Sequence, residues 1–490
     1  MMTTTQMRSS SLRWLHALVS CIAFSAGLPA HAADAAMPER GNPQAQLIKQ
    51  GEYLARAGDC VACHSSAGGK PFAGGLAMAT PVGKVYSSNI TPDKEQGIGS
   101  WSFEDFDKLM RTGVSKRGYT VYPAMPYPSY SRLSVADMQA LYAYFMQGVQ
   151  PDPAPNKKAD IPWPLSMRFP LTWWRWAFAP RPEPYQPATA GSAGSTGGTS
   201  SASAQLLRGA YLVQGLGHCG ACHTARGLGM QEKALTEVGN EDYLAGGTAI
   251  DGWSVPSLRN EHGGGLARWS AADIAAFLKT GRNTHSASFG AMNDVVAHSM
   301  QYMSDEDLAS IAGYLKSLSA STPVAAPFVA DDKIGKELFR GVVTSAGAQI
   351  YLDRCAGCHR SDGKGYSNAF PALAGNAVLQ SADPTSAINV VLSGGRVPAT
   401  VSAPSALAMA PYSSLLNDEQ VAQVVSFIQT SWGNQGSPAT VVQVKKIRSI
   451  SVGLTPLGKA AFAAGRADTI PAPARTNQKM ERPTQGAADL

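Results

Sequence analysis

The sequence predicts a mainly α-helical chain built from three tandem domains of one kind. Three observations predict it. The pattern Cys-x-x-Cys-His occurs three times, at Cys60–His64, Cys219–His223 and Cys355–His359. A capped amphipathic helix follows each copy, starting at Ser134, Ser304 and Asn417. A long stretch of small and polar residues, 186–204, separates the first copy from the second. The length agrees, because 490 residues exceed one ordinary core. Hydrophobic residues make up 44% and charged residues 16%, a globular composition with a lightly charged surface. Lys plus Arg exceed Asp plus Glu by 41 − 35 = 6, and no basic cluster gathers that excess, which argues against a nucleic-acid footprint.

The first element is an export signal over residues 1–32. Arg8 and Arg13 supply its positive region, an apolar run from Trp14 to about Pro29 follows, and Ala30-His31-Ala32 offers small-x-small cleavage before Ala33. An uncleaved anchor is disfavoured because the run falls short of the ~20 residues a spanning helix needs. Lipidation at Cys21 is disfavoured because that cut leaves too short an apolar region. The signal therefore implies export. Beyond the signal the nearest apolar stretch, Ile161–Phe178, is broken by Pro162, Pro164, Pro170, Arg168 and Arg175.

The cysteines carry the chemistry. Six of the seven fall in the three motifs, and Cys21 leaves with the signal. Two thiols spaced by one helical turn can each form a thioether with a haem vinyl group, and the histidine that follows can ligate the iron. Disulfides would not need a histidine after each pair. A thioredoxin-like pair would sit in a βαβ unit, and zinc would want ligand pairs at fixed short separations. The reading is three covalent haems c, attached through Cys60 and Cys63, Cys219 and Cys222, and Cys355 and Cys358, with His64, His223 and His359 as axial ligands.

The surroundings of the motifs repeat as well. Gly51, Gly209 and Gly347 precede them on helical patterns, and Pro92, Pro256 and Pro371 follow in loops. The closing helices start with capping-box-like Ser134–Asp137, Ser304–Asp307 and Asn417–Gln420. Overlaid on their caps, they align Leu141, Ile311 and Val424, then Tyr144, Tyr314 and Phe427, then Phe145, Leu315 and Ile428, as one apolar stripe. A motif helix, a loop with proline and a closing helix with an aromatic outline a class I cytochrome c domain. The expected boundaries are 33–185, 205–320 and 321–433, with the linker at 186–204 and a tail at 434–490. In that tail Thr440–Ile450 suggests a short amphipathic element.

A second axial ligand decides between relay and catalyst, since a His/Met haem leaves no open position and methionine raises its potential. Met125, Met292 and Met409 stand 9, 12 and 8 residues ahead of the caps at Ser134, Ser304 and Asn417. Met110, Met138 and Met146 fall on helical patterns and read as core. In the second domain Met292 is preferred over Met300 and Met303, which sit too close to the helix start, and Gly290 would let the backbone there approach the haem. No catalytic residue is expected.

Several segments are more particular: Tyr86–Asp93, Tyr122–Tyr127, Ile161–Arg168, Leu216–His223, Asp362–Tyr366 and Ser431–Asn434. Through them residues 45–450 resemble the three-haem cytochrome c subunit of bacterial membrane-bound dehydrogenases, such as gluconate 2-dehydrogenase, sorbitol and fructose dehydrogenases and the quinoprotein alcohol dehydrogenase. The stretch Ile161–Phe178 leans toward the gluconate 2-dehydrogenase kind. The resemblance implies an electron-transfer subunit that serves a catalytic partner carrying flavin or pyrroloquinoline quinone, with a small third subunit and ubiquinone as acceptor. A haem enzyme (a peroxidase or one oxidising sulfur compounds) and a free periplasmic shuttle are the competing classes. The segment Trp163–Trp176 is either a docking surface or a lid over the first haem.

Overall fold

A computed structural model describes residues 42–181, 201–250, 252–321 and 326–453. The expected signal, most of the linker and the end of the tail lie outside the described residues. Domain one begins with α1 (Pro43–Ala57) and the motif turn α2 (Cys60–Cys63). The antiparallel hairpin β1 (Ala77–Thr80) and β2 (Gly83–Tyr86) follows, pairing Ala77 with Tyr86. Then come α3 (Phe103–Thr112), α4 (Tyr127–Tyr130), α5 (Val135–Ala143), which continues as a π-turn over Tyr144–Gly148, and α6 (Phe169–Phe178). Domain two contains α7 (Ser201–Gln214), α8 (Gly220–His223), the hairpin β3 (Gly247–Ile250) and β4 (Trp253–Val255), α9 (Ala271–Thr280), α10 (Met292–His298) and α11 (Asp305–Ser317). Domain three contains α12 (Lys333–Phe339), α13 (Ala346–Arg354), α14 (Ala356–His359), α15 (Thr385–Ser393), the bridge of β5 (Gly395–Arg396) with β6 (Ala408–Met409), α16 (Asp418–Thr430) and α17 (Val441–Gly453). The chain is mainly helical and repeats one domain three times, as the motifs require.

One contact organises every domain. The helix ahead of each motif (α1, α7 or α13) crosses the closing helix (α5, α11 or α16) at a glycine, and a Cβ at Gly51, Gly209 or Gly347 would overlap the backbone carbonyl of Ala140, Ser310 or Gln423. Its next neighbour is the Cβ of Tyr144, Tyr314 or Phe427, the aromatic position of the predicted stripe. The stripe packs as read: Leu141, Ile311, Val424, Phe145, Leu315 and Ile428 are all buried.

The helix caps differ from the expectation in an informative way. Asn417 and Gln420 form the full reciprocal box, with Gln420 N donating to Asn417 at 2.9 Å and Asn417 N to Gln420 at 3.0 Å. Ser134 and Ser304 accept from the amides of Asp137 and Asp307, but those carboxylates do not bond back to the cap. They turn to the neighbouring domain instead. Tyr211 Oη donates to Asp137 Oδ2 at 2.6 Å while accepting from Ser134 N at 2.9 Å. Tyr53 Oη donates to Asp307 Oδ2 at 2.6 Å while accepting from Ser304 N at 3.2 Å. Domains one and two thus exchange the same pair of hydrogen bonds in both directions, in the manner of an isologous interface. Arg208 adds a fork to Asp307, with both bonds at 2.8 Å.

The cores follow the same division. One apolar cluster runs through domains one and two, from Leu54 and Leu133 to Leu216 and Met303, whereas domain three has its own around Tyr351, Val424 and Trp432. Domain three meets domain two largely through polar contacts, among them Ser254 to Ser386 at 2.7 Å and Asn389 Nδ2 to the Gly252 carbonyl at 2.9 Å. The amphipathic piece expected in the tail is part of this third core. Val444 and Ile447 of α17 are buried, and Arg448 donates to Asp418 and to the carbonyls of Ser413 and Leu416.

Candidate haem sites

Each motif sits on a single helical turn directly after α1, α7 or α13. In the first two copies the residue just before the first cysteine is left-handed, Asp59 at φ 51° and His218 at φ 35°; in the third the left-handed residue is Arg360, after the histidine. All six cysteines are free thiols, the first of each pair half-buried and the second exposed. Burial pushes the Cys60, Cys219 and Cys355 thiols up to about 12.

The histidines share one geometry. Nδ1 of His64 meets the Ser88 carbonyl at 2.7 Å, that of His223 the Pro256 carbonyl at 2.8 Å, and that of His359 the Pro371 carbonyl at 2.9 Å. A carbonyl can only accept, so Nδ1 carries the proton and Nε2 keeps its lone pair, the arrangement that orients an imidazole for a metal. Burial also lowers the pKa of all three, favouring the neutral ring. The loop prolines explain two of the acceptors. In domain one the acceptor is Ser88, not Pro92; a backbone carbonyl needs no particular side chain, so the sequence carries no mark of it.

The candidate methionines occupy three local settings. Met125 lies in the turn before α4, with its carbonyl accepting from Tyr127 N at 2.8 Å. Met292 opens α10, and Met409 pairs with Gly395 across the β5–β6 bridge. All three are half-buried, Met125 and Met409 against their domain's apolar cluster. Met300 and Met303 are 5% and 1% exposed, packed into the shared core, and Met110 and Met138 are likewise buried. Gly290 does adopt a positive φ, 57°, but the group it lies against is the Trp253 ring.

The first two motifs approach one another. His218 Nε2 lies 3.4 Å from the Gly58 carbonyl, and its ring packs edge-on against Tyr130. Ser299 Oγ donates to the Ala57 carbonyl at 3.3 Å. The third motif makes its hydrogen bonds within its own domain. Sequence reasoning missed the tyrosine exchange, although a signal was present: Gly51-Glu-Tyr53 and Gly209-Ala-Tyr211 match, while the third copy reads Gly347-Ala-Gln349.

These residues fit haem. Each copy offers two unpaired thiols and one imidazole with its Nδ1 already engaged. Among the described residues no three of His, Cys, Asp or Glu converge as a protein-only metal site would require. Fold and donor set together define a class, proteins that hold haem c through thioethers on small helical domains.

Comparison makes the assignment particular. The cytochrome c family model matches residues 48–148, 207–319 and 344–432, and the chain belongs to that family. It is 54% identical over 399 residues to the gluconate 2-dehydrogenase cytochrome c subunit of Pantoea cypripedii, covering 81% of this chain and 87% of that one. It is 48% identical over 455 residues to the cytochrome c subunit of the quinone alcohol dehydrogenase of Gluconacetobacter polyoxogenes, covering 92% and 95%. The fructose dehydrogenase cytochrome subunit of Gluconobacter japonicus is 35% identical over 421 residues, 82% of each chain.

Proposed function

We propose that this chain is the electron-transfer subunit of a dehydrogenase complex acting on CH–OH donors, and is not itself the catalyst. It takes electrons from a catalytic subunit carrying flavin or pyrroloquinoline quinone and delivers them to ubiquinone at the periplasmic face of the cytoplasmic membrane. Three covalent haems c at these positions would supply one-electron carriers. Cys60, Cys63, Cys219, Cys222, Cys355 and Cys358 would hold them, and His64, His223 and His359 with Met125, Met292 and Met409 would ligate their irons. The backbone carbonyls of Ser88, Pro256 and Pro371 fix the imidazole orientation. With a histidine and a methionine at each iron, substrate would have no open coordination site to reach.

The observation that carries the reading is the threefold repeat of an imidazole whose Nδ1 is engaged beside two free thiols. The relatives, named as subunits of gluconate, alcohol and fructose dehydrogenases, support the partner class. Reconstitution tests it. The catalytic partner with an artificial dye should turn over without this chain, and with ubiquinone it should need this chain. Full quinone reduction without the chain contradicts the reading, and substrate oxidation by the purified chain alone would favour a haem enzyme.

A further inference from the structure

We propose that the outward face of α6, with Trp163 ahead of it, is the surface through which this protein seats on an anionic phospholipid bilayer. The helix has two apolar sides, and one is already used. Trp174 donates from Nε1 to the Gly229 carbonyl at 2.6 Å and packs against the rings of Tyr127 and Phe178. Phe178 in turn lies beside Gly229, and Arg168 stacks on Tyr122 at 4.0 Å and on Tyr119 at 5.2 Å. The helix is therefore fixed across domains one and two, covering the loop that holds Met125.

The other side has no partner among the described residues. Phe169, Trp173 and Trp176 share one helical face by their spacing, and Trp163, Trp173 and Trp176 are 80%, 73% and 85% exposed. Leu165 and Met167, between Trp163 and the helix, are exposed too. Large aromatics so far out of the surface are costly in water unless something covers them.

Charge selects what covers them. Between Asp160 and Glu183 the chain has three arginines, Arg168, Arg175 and Arg181, and no carboxylate. Arg117 is exposed on the loop that carries Tyr119. Arg168 and Arg175 are half-buried and Arg181 is exposed. Aromatics on one face, with exposed Arg181 and Arg117 and no carboxylate in the segment, match an element lying in the headgroup region with its rings at the acyl boundary. The cations match anionic headgroups. Among the described residues no helix is long and apolar enough to cross a membrane.

This inference rests on the membrane-side placement proposed above and goes further by naming the surface. The test uses the mature holoprotein and vesicles of phosphatidylethanolamine with phosphatidylglycerol, read by co-sedimentation. The intact protein should bind, and more weakly as salt rises. The triple variant Trp163→Ser, Trp173→Ser, Trp176→Ser should bind on the order of a hundredfold more weakly, with its haem spectrum and unfolding temperature unchanged as the control for folding. Equal binding by the variant overturns the surface and leaves the membrane placement standing. No binding by the intact protein overturns both. A variant that keeps vesicle binding but no longer co-elutes with the catalytic partner makes the face a protein interface and overturns the proposal.

Discussion

Domains one and two meet as a matched pair, and domain three meets domain two as a neighbour. The first junction shares an apolar core and exchanges Tyr53–Asp307 for Tyr211–Asp137. The second is mostly side chain to backbone, as in Asn376 Nδ2 to the His285 carbonyl at 3.1 Å and Asn293 Nδ2 to the Arg396 carbonyl at 2.9 Å. The difference begins in two short sequence features. Tyrosine two residues after the crossing glycine, with aspartate at the third helical position, frees a hydroxyl and a carboxylate to face each other across domains. Glutamine at both positions in domain three leaves its cap self-contained. The lesson is that a helix cap is also a surface, and whether it closes on itself decides what it can join.

The glycine crossings give the sharpest way to break this comparison. Gly209→Val forces a side chain into the Ser310 carbonyl and should destabilise by about 3 kcal/mol. Because the core is shared, native-state hydrogen exchange should show faster exchange in α1 and α5 as well as in α7 and α11, with α13 and α16 unchanged. Gly347→Val should do the reverse, loosening domain three alone. Loss of protection across all three domains from either variant would break the comparison.

A smaller effect is expected at the tyrosines. Tyr53→Phe and Tyr211→Phe each remove a hydroxyl bonded to a carboxylate, worth roughly 1.5–3 kcal/mol. Gln349→Ala, at the matching position of domain three, should stay within about 0.5 kcal/mol. Chemical denaturation of the three variants measures this, and equal effects would mean that the exchange does not join the domains.

The smallest effect should appear with pH. Burial raises the Asp307 carboxyl, but the Arg208 fork and the Tyr53 hydroxyl outweigh it and hold the group below its ordinary value of 3.8. A depressed folded-state pKa gives stabilisation that is complete above the ordinary value and lost as pH falls through the folded one. Acidification below about pH 4 should therefore weaken the junction of domains one and two, and Asp307→Asn should flatten that dependence. A pH profile unchanged by the substitution contradicts the assignment.

Much of this was legible in the sequence because it is local. Cys-x-x-Cys-His states its chemistry within five residues, and the closing helices announce their buried face through spacing, as Leu141, Ile311 and Val424 show. What stayed hidden depends on backbone or on distance. The Ser88 carbonyl has no side chain to mark it. The partner of Asp307 is Tyr53, 254 residues earlier. α17 reads as a weak, basic amphipathic piece, and Arg448 becomes structural only when Asp418 and two carbonyls come within reach. The preference for Met292 rests on its distance from the cap at Ser304 and on Gly290, whereas Met300 and Met303 lie buried in the shared core.

The central claim is that three copies of one site each hold a haem by two thioethers, and intact-mass measurement of the denatured mature chain tests it most directly. The account predicts polypeptide plus three haems, with Cys219→Ala/Cys222→Ala reducing the count to two. A fully matured wild-type chain that retains two haems or fewer would contradict it.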